Sequence, residues 1–182
     1  MRFMWQNVKW VGFLLLFVIF GISCQKGQPS KIMGQVYENK VHNFSIEFPE
    51  SWKVDESGVL GSIVIFKEQK FRKDFSANIN VFAEKTKFDV NEYTDITVNQ
   101  HGSVFKGYKL IKKENEKISG LDAIVVDYEY RYGIVGMLQV RSCYVKHDGK
   151  MFSITATALQ EEISKYNDKF NKTIREFKVL QS

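Results

Sequence analysis

Leu121-Asp122-Ala123-Ile124-Val125-Val126-Asp127-Tyr128-Glu129-Tyr130-Arg131-Tyr132 and, beyond Gly133-Ile134, the run Val135–Val145 decide the fold. In the first run Ile124, Val126 and Tyr128 alternate with Val125, Asp127 and Glu129, the period of two of a strand whose faces meet different surroundings. A three-residue turn at Tyr132–Ile134 pairs Tyr128 with Leu138, Val126 with Val140 and Ile124 with Ser142, so that all six side chains face one core. The opposite face is mixed. Asp127 falls opposite Gln139 and Val125 opposite Arg141, an arrangement that suits a second covering layer.

Working outward, Tyr108–Ile118 and Met151–Leu159 read as neighbouring strands, set off by turn signals at Ser119-Gly120 and Asp148-Gly149. Upstream, Phe44, Ile46 and Phe48 alternate with Ser45 and Glu47 until Pro49 ends the strand. Val59–Phe66 is apolar on both faces and reads as a central strand, Ser76–Ala83 as another, with the loop Lys67–Phe75 between them. Asp89 followed three residues later by Glu92 is a capping-box pattern. It starts a helix whose stripe is Tyr93, Ile96, Thr97, Gln100 and Val104 and which Gly107 ends. A second helix near Glu161–Arg175 carries Ile163, Tyr166, Phe170, Ile174 and Phe177 at steps of three and four. This order predicts an α+β domain, an antiparallel β-sheet flanked by helices in an α/β/α sandwich.

The amino-terminal segment is of another kind. Arg2 and Lys9 precede the apolar run Trp10–Ser23, which is short for a membrane span but suits the core of an export signal. Ile22-Ser23-Cys24 resembles the lipobox of bacterial lipoprotein precursors, with Gly21 where leucine is usual. That resemblance implies cleavage before Cys24 and thioether lipidation of its sulfur. Two or three acyl chains anchor far better than one, because each buried methylene adds about 0.8 kcal/mol. The expected organisation is residues 1–23 as signal peptide, 24–34 as lipidated tether with breakers at Gly27, Pro29, Ser30 and Gly34, and 35–182 as one domain. The expected location is a bacterial cell envelope, on the outer membrane or the cell membrane, facing periplasm or exterior. Gln25 is not the aspartate that retains some lipoproteins at the inner membrane.

Without its 23-residue leader the chain has 159 residues, enough for one domain with a real core. The leader holds two basic and no acidic residues, so the net charge falls from +5 to +3. That small, scattered surplus does not point to nucleic acid. With Cys24 lipidated, Cys143 has no partner, and the fold rests on packing rather than a disulfide.

Asn43-Phe44-Ser45-Ile46-Glu47-Phe48-Pro49-Glu50-Ser51-Trp52 resembles the opening motif of PsbP/DcrB-like domains, Phe-x-Ile-x-x-Pro-x-x-Trp. The order of elements over residues 35–180 is similar too. The resemblance implies a sandwich around an antiparallel sheet, in a family of photosystem II accessory proteins and bacterial envelope lipoproteins generally without known catalysis. No motif carries metal ligands of the photosynthetic relatives onto this chain. From the residues themselves, Trp52 reads as a plug at one end of the core.

A search for chemistry finds no nucleophile elbow, zinc-protease helix or phosphate-binding loop. His42, His101 and His147 are spread along the chain without ligand spacing, and His42 and His147 read as solvent-exposed. Cys143 reads as an inert buried thiol. Asp127, Glu129 and Arg131 read as a salt-bridged strand face, with Arg141 a cross-strand partner for Asp127. The basic-aromatic loop is the candidate contact patch: Lys67, Lys70, Phe71, Arg72 and Lys73, suited to anionic head groups or an acidic protein. The expectation is a non-enzymatic envelope lipoprotein, without catalytic residues, metal or cofactor, that binds or stabilises a membrane or envelope protein complex. Its membrane contact is the lipid at Cys24. The alternatives are a carrier of a small ligand or metal in a sheet–helix pocket and, least favoured, a hydrolase around Asp127/Glu129 or Cys143.

Overall fold

The computed structural model describes residues 30–70 and 74–180. Its frame is a seven-stranded antiparallel sheet formed by β4 (Lys53–Asp55), β5 (Val64–Lys67), β6 (Asn78–Lys85), β7 (Lys109–Ile118), β8 (Leu121–Tyr132), β9 (Gly136–His147) and β10 (Lys150–Leu159). These lie in the order β4-β5-β6-β10-β9-β8-β7. A small sheet of β1 (Lys31–Met33), β2 (Val36–Asn39), β3 (Phe44–Glu47) and β11 (Lys178–Val179) covers part of one face. The helices are α1 (Val90–Val104) and α2 (Asn167–Arg175).

Alternation along β8 sorts its residues between two cores. Ile124, Val126 and Tyr128 join Val140, Tyr144 and Met151 beneath α1, which presents Val90, Tyr93, Val98 and, just past its end, Phe105. Val125, Cys143, Val145, Phe152 and Ile154 face the small sheet and α2. The mixed face does carry a second layer, but it is mostly β-structure. Phe44 meets Phe152 and Phe177, Phe48 stacks on Phe66 at 4.8 Å, and Phe170 and Ile174 of α2 fill the remainder. The domain is α+β and mostly antiparallel sheet. A helical layer on each face is replaced by one helix on one side and a small sheet with a short helix on the other.

Four local readings are corrected. The β8–β9 register is displaced by two: Tyr128 pairs with Val140, Val126 with Ser142 and Asp127 with Arg141. The turn lies one residue later because Val135 folds inward onto Leu138 and Leu159, while Gly133 and Gly136 take positive φ. A shift of two keeps every side chain on its face, so the core residues are unchanged. Val59–Phe66 is not one central strand. Gly58 and Gly61 take left-handed conformations, Val59–Gly61 is a 3₁₀ turn, and only Val64–Lys67 pairs, one strand in from the edge. On α1, Asp89 caps as expected, its carboxylate accepting from the Glu92 N–H at 2.9 Å. The buried stripe, however, runs through Val90, Tyr93, Thr94 and Val98, and Val104 is exposed. The last helix is split: Gln160–Lys165 is 3₁₀, and the break at Tyr166 turns its ring against Trp52 and Phe170. Trp52, nearly buried, is the plug the sequence implied.

The two ends of the large sheet differ in what they gather. At one end the turns at Lys40–Asn43, Ser119-Gly120 and Asp148-Gly149 come together. There the Leu180 N–H donates to the Asn43 carbonyl, the Thr86 N–H to the Gly149 carbonyl and the Val179 N–H to the Ser119 hydroxyl. The chain reaches β1 beside this end, since Lys31 pairs with Glu38 just before that first turn. The other end holds the Gly133–Val135 turn, the loop between β5 and β6, and Leu159. Ten residues of β10 separate the two, about 30 Å of strand.

Candidate functional site

The far end carries a cleft of about 470 Å³ between the β5–β6 loop and the 3₁₀ turn that follows β10. Glu68, Lys70, Phe75 and Ala77 line one wall; Leu159, Glu162, Lys165 and Tyr166 line the other. The walls are cross-braced. Across the cleft, Tyr166 donates its hydroxyl proton to Glu68 at 2.6 Å over 98 residues of sequence; within its own wall, Lys165 holds the nearly buried Glu162 at 2.7 Å. Half of these eight residues are charged, so the cleft suits a polar group more than an apolar one.

This cleft adjoins the predicted contact patch. Lys70 lies on its wall, whereas Lys67 is turned away into an ion pair with Asp55 at 2.6 Å. That pair and the Ser57 N–H hold the Asp55 carboxyl well below its ordinary range. Phe71, Arg72 and Lys73 lie outside the described residues, as does Cys24. The wall contributed by residues 159–166 escaped sequence reasoning, because only the tertiary fold brings it beside Lys70.

The groups weighed for catalysis share one face of the sheet, but each is taken up by a structural contact. Arg141 grips Asp127 with two hydrogen bonds, 2.7 and 2.8 Å, and also donates to Asn171 of α2. Glu129 is held apart by Gln160 and Lys109. Cys143 is a free, fully buried thiol, pushed up to about 12 mainly by burial. His42 and His147, expected on the open surface, are half-buried together in a small crevice with Lys150 at the tether-side end. Packing of the carboxyl-terminal Val179 and Leu180 against the turns covers them. Among the described residues no three His, Cys, Asp or Glu side chains converge for a metal ion.

His101 stands on the inner side of α1 among Phe105, Tyr108 and Tyr128, with its Nδ1 buried and without a hydrogen-bond partner. Burial lowers its pKa to about 4. At pH above its ordinary 6.5 both folded and unfolded chains are neutral at this site, and the full stability is present. Between 6.5 and 4 the unfolded chain takes a proton that the folded one refuses, so stability falls as pH drops. The expected loss is of order 2 kcal/mol after allowance for partial exposure. Urea midpoints at several pH values check this: the acid-side slope should flatten in His101→Phe, and an unchanged slope would show that other groups cause it.

A seven-stranded antiparallel sheet with one helix on one face and a small sheet plus helix on the other defines a PsbP-like domain. Residues 44–176 match the DcrB family, and the chain belongs to it. Among solved structures it is similar to cyanobacterial PsbP (CyanoP) from Synechocystis sp. PCC 6803, with 16% identity, TM-score 0.62, and 80% of this chain and 91% of that one covered. It is similar to LpqN of Mycobacterium tuberculosis, described as involved in cell envelope biogenesis, at 13% identity and TM-score 0.62, covering 76% and 83%. PA94 of Pseudomonas aeruginosa, a putative regulator of unknown function, aligns at 17% identity and TM-score 0.54, covering 72% and 88%. Comparison with curated proteins finds no match.

Proposed function

We propose that this chain is a non-enzymatic lipoprotein of a bacterial envelope, held at the membrane by lipid on Cys24, whose far end docks a protein of an envelope complex. The observation that carries the docking site is the braced cleft beside Lys70. It offers a preformed recess rimmed by charge of both signs, the kind of surface that sets register with a polar protein partner. The leader and lipobox support the anchor, and membership of the DcrB family together with the likeness to an envelope-biogenesis protein supports the envelope location. The engagement of Asp127 by Arg141 and of Glu129 by Gln160 and Lys109, with Cys143 buried, favours binding over hydrolysis.

A cleft of this size also falls in the range of small-molecule sites, which keeps a ligand carrier as the second reading. Two measurements test the reading, one for the anchor and one for the occupant of the cleft. Cell fractionation should find the wild-type chain in membranes and Cys24→Ala released. Native mass spectrometry of the detergent-extracted protein should show either a protein partner or an added small mass. A protein that stays in membranes as Cys24→Ala refutes the anchor, and a small adduct with no protein partner favours the carrier.

A further inference from the structure

The turn between β4 and β5 is built unlike the others. Val59 and Leu60 lie at its tip, 50% and 79% exposed, and none of Val59–Gly61 is buried. Leu60 adopts a left-handed backbone, φ 56°, between Gly58 and Gly61, which do so as well. A leucine is disfavoured there, where glycine or asparagine would sit without strain. Packing within the domain gives no compensation for it.

The position of this turn supplies the reason. Tyr37 donates to the Glu56 carboxylate at 2.7 Å, three residues before Val59, and pairs across the small sheet with Ile32, two residues after Ser30. Ser30 is the first described residue, and Cys24 is six positions before it. Six residues reach at most about 20 Å. A lipid on Cys24 therefore holds Ser30 within that reach of the bilayer, and the Val59–Leu60 tip lies at the same end of the fold, with exposed Lys31 and Ile32 beside the tether.

We propose that the Gly58–Gly61 turn is a bilayer-contacting wedge: Val59 and Leu60 enter the head-group boundary of the phospholipid membrane that carries the Cys24 anchor. The inference rests on the lipid-anchor reading. Two apolar side chains are too few to bind a membrane unaided, but a tethered domain meets the surface at high effective concentration, and two then suffice to orient it. Lys31 adds attraction to anionic head groups. The cleft at the opposite end then faces away from the membrane.

The test uses the full chain, processed in its host, extracted and reconstituted into phosphatidylethanolamine–phosphatidylglycerol vesicles. Buried Cys143 leaves a cysteine introduced as Leu60→Cys or Ile134→Cys free to carry an environment-sensitive dye; Ile134 is 96% exposed at the far end. Nitroxide-bearing phospholipid should quench the dye at 60 several-fold more than at 134, with a blue shift at 60 alone. Equal quenching, or a blue shift at 60 without quenching, overturns the wedge while the anchor stands. Protein that does not stay with the vesicles refutes the anchor and the wedge with it. Leu60→Gly should keep the melting temperature, and a marked fall would show that Leu60 serves packing instead.

Discussion

Phe44→Ala is expected to cost about 4 kcal/mol of folding stability, the value typical of removing a buried aromatic ring. Phe44 is fully buried at the point where three pieces of the fold meet. Its ring lies 5.8 Å from Tyr37 of the small sheet, 6.1 Å from Phe152 of the large sheet and 5.6 Å from Phe177 near the carboxyl end. Deleting it opens a cavity that rigid backbones on both sides cannot close. A domain of this size is stable by about 5–15 kcal/mol, so one substitution removes a large part of the total. Phe44→Leu, which refills most of the volume, should lose much less. Guanidinium unfolding monitored by fluorescence measures both, and a Phe44→Ala loss below about 1 kcal/mol would mean that the small sheet does not hold the core.

Arg141→Ala should be the next most damaging change, at about 3–5 kcal/mol, because it strands the nearly buried Asp127 carboxylate without its cation. Burial of the pair beneath α2 makes the effect asymmetric. Replacing both partners together, as Asp127→Leu with Arg141→Met, leaves no orphaned charge and should recover most of the loss. Arg141→Lys keeps the charge but loses the fork that reaches both Asp127 oxygens and Asn171. It should fall between the two. A double-mutant cycle reads the coupling, and additive losses would show that the two residues stabilise the fold independently.

The long strands were legible in the sequence because periodicity of two survives a wrong register. Tyr128 still faces α1 whether it lies opposite Leu138 or Val140, and Asp127 met Arg141 as an across-sheet partner. The Asp89–Glu92 cap and the Tyr166–Phe177 stripe were equally readable, being set by near neighbours. What failed was composition without phase. Val59–Phe66 is apolar enough for a central strand, yet two left-handed glycines break it and leave Leu60 in solvent. The small sheet escaped because β1 and β11 span only three and two residues, too few to show a period. The cleft was half-legible: the lysine-rich loop stood out, but Glu162 and Tyr166 join it only through the tertiary fold.

We propose that the far end, beside the cleft, docks an envelope protein. Site-specific photo-crosslinking in intact cells tests it most directly, with the photoreactive residue placed at Lys70 on the cleft wall or at Lys112 on the outer strand β7. One discrete heavier adduct from position 70, absent from position 112 and lost in the Cys24→Ala background, is the predicted result. No adduct from position 70, only self-adducts, or equal capture from both positions would contradict it.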